Sequence, residues 1–390
     1  MLYRWLRYKT RNVAWIRERE EEIFSLFCSC RRLENKVVFD NFFGRCPGDD
    51  PKYIALRLRE AYPDIRIVWL VNHRWMELPT GFEKAYYGSR EADYHLRTAK
   101  VWVDNVKNAY KPPKRKHQYY IQTWHGIMGM KSVEAEVPEL SAEYVKAAQE
   151  DAAKTDLMYA NNQHQLNLYK HSFWYGGEVI KCDVPKLSVV LSPPSSLQRK
   201  VRDYYHFDDK KKIALYAPTF RDSADVNCVC WNFDKAIRCL EQRFGGEFVL
   251  LIRLHPNHYY LDGEIRYGEH VVSATAYEDI QELLAVSDVL INDYSSTMFE
   301  FGLTGKPVFL ICQDYREYTK ERPLKFSFEE LPYPVAFSDE QLCDNIMAFD
   351  RQDYERKLDG FHKDVGLEDH GRGACIIADL IARRCHEMRW

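Results

Sequence analysis

No stretch of the 390 residues supplies the ~18 consecutive apolar positions that a membrane-spanning helix needs. No apolar core follows the N-terminal charges, so there is no secretory signal. A basic excess is missing too. Lys and Arg total 55, Asp and Glu 58, and the net charge is −3, which disfavours a protein that lives on nucleic-acid backbone. The 11 cysteines include two Cys-x-Cys pairs, Cys28/Cys30 and Cys228/Cys230, but no zinc-ligand spacing accompanies them. An odd number of scattered thiols in a large chain fits a reducing, cytosolic compartment. Three nucleotide signatures are also absent: Asp-x-Asp, Gly-x-x-x-x-Gly-Lys and Gly-x-Gly-x-x-Gly. A metal-held diphosphate, an ATP P-loop and a nicotinamide fold are each disfavoured, and no metal or cofactor is expected. There is no internal repeat and no low-complexity tract.

What is present is a globular composition, with 46% hydrophobic and 29% charged residues. At ~150 residues per domain the length suits two to three domains. Aromatics reach 14%, which leaves open a partner rich in hydroxyls or lipid. Residues 1–19 carry Arg4, Arg7, Lys9, Arg11, Arg17 and Arg19 against Glu18, interleaved with Leu2, Trp5, Leu6, Val13, Trp15 and Ile16. Six basic residues against one acid make the segment net +5, so the rest of the chain sums to −8. Two readings stand: a basic amphipathic helix on an anionic membrane surface, or a helix docked on the protein body.

From residue 36 the pattern alternates short apolar runs with helical spacing. Strands are expected at Lys36–Phe42, Ile65–Val71, Lys84–Tyr87, Val101–Val103, Tyr119–Trp124, Leu157–Ala160 and Glu178–Cys182. A polar stretch at 191–210, with Pro193-Pro194, reads as an interdomain connection. A second series follows, with strands at Ile213–Ala217, Phe248–Leu254, Val271–Val272, Val289–Asn292 and Pro307–Ile311 and helices near 232–244, 277–286 and 296–304. Two tail helices are expected near 351–363 and 372–386. The expected organisation is a basic helical segment over 1–34, two doubly wound parallel-sheet domains over 35–192 and 193–370, and a C-terminal helix over 371–390. Ligands of such α/β sheets sit beyond the carboxyl ends of the strands.

Four constellations fall at those ends. Gln122-Thr123-Trp124-His125-Gly126 follows the fifth strand. His125 there is either a general base or a strand-capping histidine, and Gly126 lets a substrate approach the backbone. Lys131, six residues on, is a candidate phosphate ligand. Next comes Ala217-Pro218-Thr219-Phe220-Arg221-Asp222, in which Arg221 is either a phosphate clamp or half of a surface turn. In Arg253-Leu254-His255-Pro256 the proline stops the strand and presents His255 at the sheet edge. Finally, Asp293-Tyr294-Ser295-Ser296-Thr297 precedes a helix. It offers hydroxyls and free N–H groups to an anion, or else plain N-capping, since Thr297 and Glu300 have capping-box spacing. Glu300 is alternatively an acceptor for ribose hydroxyls. A histidine on one lip and an anion cradle on the other suit transfer from a diphosphate-linked donor.

Trp124-His125-Gly126, Ala217-Pro218-Thr219, Arg253-x-His255-Pro256 and Asp293-Tyr294-Ser295-Ser296 together resemble the motifs of the CDP-glycerol glycerophosphotransferases, the teichoic acid primases and polymerases and their capsule-synthesis relatives. The resemblance runs from about residue 100 to 380. It implies a GT-B-like fold, two Rossmann-like domains facing a cleft, and transfer of a polyol phosphate from a CDP-polyol such as CDP-glycerol with release of CMP. It implies His125 as base, His255 on the donor phosphates, and Asp293, Ser295, Ser296 and Thr297 at the pyrophosphate. Glu300 would lie near the nucleoside, with Arg221 and Arg253 on the donor side and Lys131 and Gly126 on the acceptor side. The implied acceptor is a lipid-linked or glycan/polyol-phosphate chain at the inner face of a cell membrane. The family often reads Pro-Arg-Asn-Asp where this chain has Pro185-Lys186-Leu187-Ser188, so only the proline and one positive charge remain. A nucleotide-sugar glycosyltransferase of the same fold and a non-catalytic polymer-binding scaffold are the alternative readings.

Overall fold

The computed structural model describes residues 18–107, 110–222, 226 and 229–387. Most of the basic N-terminal segment, and Cys228, lie outside these residues. After a helix over 18–29 (α1), the first series runs β1 (Glu34–Phe39), α2 (Asp49–Ala61), β2 (Arg66–Val71), β3 (Phe82–Tyr86), α3 (Arg90–Thr98), β4 (Ala99–Asp104), β5 (Tyr119–Gln122), α4 (Ala142–Lys154), β6 (Leu157–Ala160), α5 (Gln163–Ser172) and β7 (Glu178–Lys181). These strands form one parallel seven-stranded sheet, ordered β3-β2-β1-β4-β5-β6-β7. Val37, Val38, Val68, Leu70, Val101 and Trp102 are all buried although they alternate in direction, because helices cover both faces.

The second series begins with α6 (Leu187–Leu191) and α7 (Ser195–Tyr205). It continues through β8 (Lys212–Tyr216), α8 (Phe233–Phe244), β9 (Phe248–Ile252), β10 (Val271–Ser273), α9 (Ile280–Val286), β11 (Val289–Asn292), α10 (Thr297–Gly302), β12 (Val308–Ile311), α11 (Tyr315–Glu321), β13 (Val335–Ala336), α12 (Asp339–Met347), α13 (Arg351–Val365) and α14 (Gly373–Glu387). Its sheet is parallel, ordered β10-β9-β8-β11-β12-β13. Each sheet therefore reverses its winding at one point, between β1 and β4 and between β8 and β11. A crevice opens at such a point beyond the strand ends.

The stretch read as a polar connection is mostly helix. Pro194 is the N-cap of α7, where its missing N–H costs nothing, and Leu197 and Val201, four apart, are buried together. The chain crosses between lobes twice, and the crossings touch. Asp369 accepts from Val184 N (2.7 Å) and Asn161 Nδ2 (3.0 Å), and Asp183 accepts from Arg372 N (3.0 Å). A Cβ on Gly373 would come within 2.4–2.5 Å of the 183–185 backbone, so only glycine fits there. After that glycine, α14 returns to the first lobe. Ile377, Ala378, Ile381, Ala382 and Cys385 join the core of β1, β2 and α2. Among the described residues no helix is long and apolar enough to cross a membrane.

Ile381 is fully buried in this core, although the whole second series of elements separates α14 from the first lobe's last strand, which ends at Lys181. Ile381→Ala is expected to cost about 2–5 kcal/mol. Urea unfolding followed by tryptophan fluorescence measures this, and a loss under 1 kcal/mol would place α14 outside the first lobe's cooperative unit.

Candidate active site

The first winding reversal builds the surroundings of His125. Gln122 is held by its own amide, which donates to Val106 O (3.0 Å) and accepts from Trp124 N (2.9 Å). That pins a tight turn in which Trp124 sits at φ +58°, a left-handed conformation that costs a bulky residue about 1–3 kcal/mol and needs its surroundings to hold it. His125 lies between Trp124 and Phe42, with ring centroids at 4.1 and 5.2 Å. Its Nδ1 is 3.0 Å from Asn105 O. A carbonyl carries no proton, so Nδ1 must donate, and Nε2 keeps its lone pair. Burial lowers the pKa of His125, outweighing the Asn105 bond that raises it. The ring is therefore a neutral base at neutral pH.

Asn105 is the hub behind that base. Its side chain accepts from Phe42 N (3.0 Å) and donates to Asn41 Oδ1 (2.7 Å) and Asp49 Oδ2 (2.9 Å). Asp49 opens α2 at φ +52°. Its other oxygen meets Lys186 Nζ at 2.9 Å. Lys186, buried to 2% exposure, also reaches Glu300 Oε1 (2.8 Å) and His125 O (3.0 Å). Sequence reasoning passed over Asp49 and Asn105 and saw Lys186 only as the remnant of a changed motif.

The second reversal presents His255 across the cleft. Its Nδ1 accepts from Asn257 N (3.2 Å), so the proton sits on Nε2, the opposite tautomer to His125. Neighbouring protein atoms desolvate the ring, although one side stays open to solvent; with the positive field of His258, Lys131, Arg45 and Arg322 they hold the pKa of His255 down at about 4. His255 is thus a neutral donor, and an arriving anion would favour its charged form. Lys131 lies beside the Tyr318 ring (5.5 Å), where burial lowers its pKa to about 8. Its segment is tied to the second lobe by Lys325 N→Met130 O (3.0 Å). Gly126 faces Ser296: a Cβ there would lie 3.5 Å from Ser296 Oγ. The structure therefore brings together His125, Gly126, Lys131, His255, Ser295 and Ser296.

Three expected donor ligands stand behind this surface instead. Asp293 is fully buried, and its carboxylate accepts from Thr219 N (2.9 Å), Thr219 Oγ1 (2.6 Å) and Arg221 Nη1 (2.9 Å). Arg221 is no free clamp. It is spent on Asp293 and Asp314 (2.6 Å) and packs against the Tyr294 and Tyr318 rings. Arg253 donates to the carbonyls of Ala274 (3.1 Å), Tyr277 and Glu278 (3.3 Å), fixing the 274–278 loop. Asp293 and Arg221 are buried and pair with each other, and Arg253 is spent on backbone carbonyls, so all three are engaged inside the wall. The capping box also fails to form. Ser296 is the N-cap, without a side-chain cap bond, and Thr297 turns to Asn292 Nδ2 (2.7 Å) and Ser295 Oγ (3.0 Å). Glu300 points to the lobe boundary, held by Lys186 and by Gln281 Nε2 (3.1 Å).

The family model for CDP-glycerol:poly(glycerophosphate) glycerophosphotransferase matches residues 23–383. Over 370 residues the chain is 28% identical to the teichoic acid poly(glycerol phosphate) polymerase of Staphylococcus epidermidis, a match covering 90% of this chain and 51% of that protein. It is 25% identical over 376 residues to the teichoic acid glycerol-phosphate transferase of Staphylococcus aureus, covering 90% of this chain and 94% of that one. A solved structure of the wall teichoic acid polymerase TagF superposes with a TM-score of 0.82 at 26% identity, covering 98% of both chains. The two-lobed fold is therefore GT-B-like. The chain spans about half the length of the poly(glycerol phosphate) polymerases of S. epidermidis and Bacillus subtilis.

Because Arg221 pairs with the fully buried carboxylate of Asp293, and with the partly exposed one of Asp314, Arg221→Met is expected to destabilise the fold by about 3–5 kcal/mol. Chemical unfolding decides this. A variant of native stability whose only defect is weak anion binding would restore Arg221 as a clamp.

Proposed function

Because the chain belongs to the CDP-glycerol:poly(glycerophosphate) glycerophosphotransferase family, we propose that it moves glycerol phosphate from CDP-glycerol onto a hydroxyl of a polyol-phosphate acceptor. The observation that carries this reading is one histidine on each lobe, in opposite tautomers: an acceptor nitrogen on His125 and a donor N–H on His255.

The acceptor O–H gives its proton to His125 Nε2 as its oxygen bonds to the phosphorus that bears the glycerol. The bond from that phosphorus to the bridging oxygen breaks, and CMP leaves with the electron pair. His255 Nε2–H, Lys131 and the hydroxyls of Ser295 and Ser296 take up the charge that develops on the leaving phosphate. Because Nδ1 of His125 is already committed to Asn105, the proton has one place to go. Arg221, Asp293 and Arg253 act from behind, fixing the loops that present these groups.

The acceptor's lipid linkage and a place on the inner membrane face belong to the same proposal. Their support is the net +5 of residues 1–19 and the α1 surface, where Ile23, Leu26 and Phe27 are 64%, 66% and 47% exposed. An apolar face next to a basic segment suits an anionic bilayer.

His125→Ala is expected to lower CMP release from CDP-glycerol by roughly 10²–10⁴-fold. Near-wild-type release would remove it as base. In the same assay CDP-ribitol and UDP-sugars serve as competing donors, and release of UDP in place of CMP would move the chain to nucleotide-sugar chemistry. Deleting residues 1–19 is expected to weaken sedimentation with phosphatidylglycerol liposomes, and unchanged binding would dismiss the membrane surface as partner.

A further inference from the structure

We propose that Lys186 is the positioning residue of His125 and the link through which the second lobe sets the base. The proposal rests on the reading of His125 as base given above.

Four contacts close a ring through the histidine. His125 Nδ1 donates to Asn105 O (3.0 Å), and Asn105 Nδ2 donates to Asp49 Oδ2 (2.9 Å). Asp49 Oδ1 meets Lys186 Nζ (2.9 Å), and Lys186 Nζ returns to His125 O (3.0 Å). The imidazole and the backbone of one residue are thus tied to one closed circuit. Rotation of the ring and relaxation of the turn both have to break it. The turn has reason to relax, since Trp124 immediately before it is held at positive φ.

Three oxygens lie within 3.0 Å of the ammonium, which donates to His125 O and pairs with the carboxylates of Asp49 and Glu300. Its own backbone is fixed as well, because Lys186 N donates to Asp50 Oδ1 (2.8 Å). Asp49 and His125 belong to the first lobe, whereas Glu300 starts from α10 of the second. The Lys186–Glu300 pair therefore spans the lobe boundary, and any parting of the lobes would have to break it. With the pair formed, the ring around His125 is held from both sides. This also gives a physical content to the altered Pro185-Lys186-Leu187-Ser188 segment. Its one charge lies at the lobe boundary, and Ser188 Oγ accepts from Ala374 N (3.3 Å) on the returning helix.

The test follows the full-length protein with ¹⁵N-labelled histidine by NMR, alongside CMP release from CDP-glycerol. In Lys186→Met the Nδ1–H signature of His125 is expected to give way to mixed tautomers, with a shifted titration midpoint. The kcat is expected to fall roughly 10–100-fold, as misplacement of a reacting group does, while the donor KM changes less. Lys186→Arg should recover most of both. Asp49→Asn, which keeps the shape and removes the charge, should move the His125 signal in the same direction if Lys186→Met does not fold. An unchanged His125 signal in whichever of these two variants folds overturns the proposal, whatever the rate. Failure of the wild type to release CMP would instead strike the transferase reading, and the ¹⁵N spectra would still decide the positioning role.

Discussion

One buried ammonium, that of Lys186, is shared by carboxylates from two lobes. A cation at 2% exposure is tolerable only when its hydrogens are all taken and its charge is balanced. That requirement orders much around it. Asp49 is bent into a left-handed turn to reach it, and Glu300 is turned away from helix capping towards it. Burial beside Asp49 pushes the Asp50 carboxyl well above its usual range, with the nearby Lys186 charge pulling the other way. A second bridge backs the boundary further out, where Lys52 and Tyr53 of α2 meet Asp279 at 2.6 and 2.8 Å.

The chemistry follows from what each histidine's spare nitrogen touches. His125 leans on a carbonyl and His255 on an amide, so neutral imidazoles of the same kind become an acceptor and a donor. Neither role needs an extreme pKa. Burial keeps His125 uncharged, desolvation and positive neighbours do so for the more exposed His255, and the substrate's own negative charge would bring His255 to its working state. The walls are built from paired charges. Asp293 with Thr219 and Arg221 braces the β8–β11 reversal, as Asn105 with Asn41 and Asp49 braces the β1–β4 reversal. The two lobes thus solve the same problem with different residues.

Much of this was readable before any coordinates. Short apolar runs separated by helical spacing located most strands to within a few residues, and Leu157–Ala160 and Val289–Asn292 at both ends. The histidine motifs stood out because proline and glycine punctuate them. What escaped depends on partners far away in sequence. Residues 191–210 read as polar linker because α7 buries only one narrow face, through Leu197 and Val201. Arg221 and Asp293 read as ligands because a charge in a motif carries no mark of being paired inside a wall. Asp49 and Asn105 carried no signal at all, since their importance lies in contacts 56 residues apart. Lys186 was visible only as a departure from a family pattern.

The proposed chemistry has His125 of one lobe and His255 of the other carry glycerol phosphate from CDP-glycerol to an acceptor hydroxyl. Mass spectrometry of the products formed from CDP-glycerol and a short synthetic phosphopolyol tests it most directly. The account predicts acceptors heavier by whole glycerol-phosphate units, one CMP for each unit added. CMP release without acceptor growth, or growth by a sugar from a UDP donor, would contradict it.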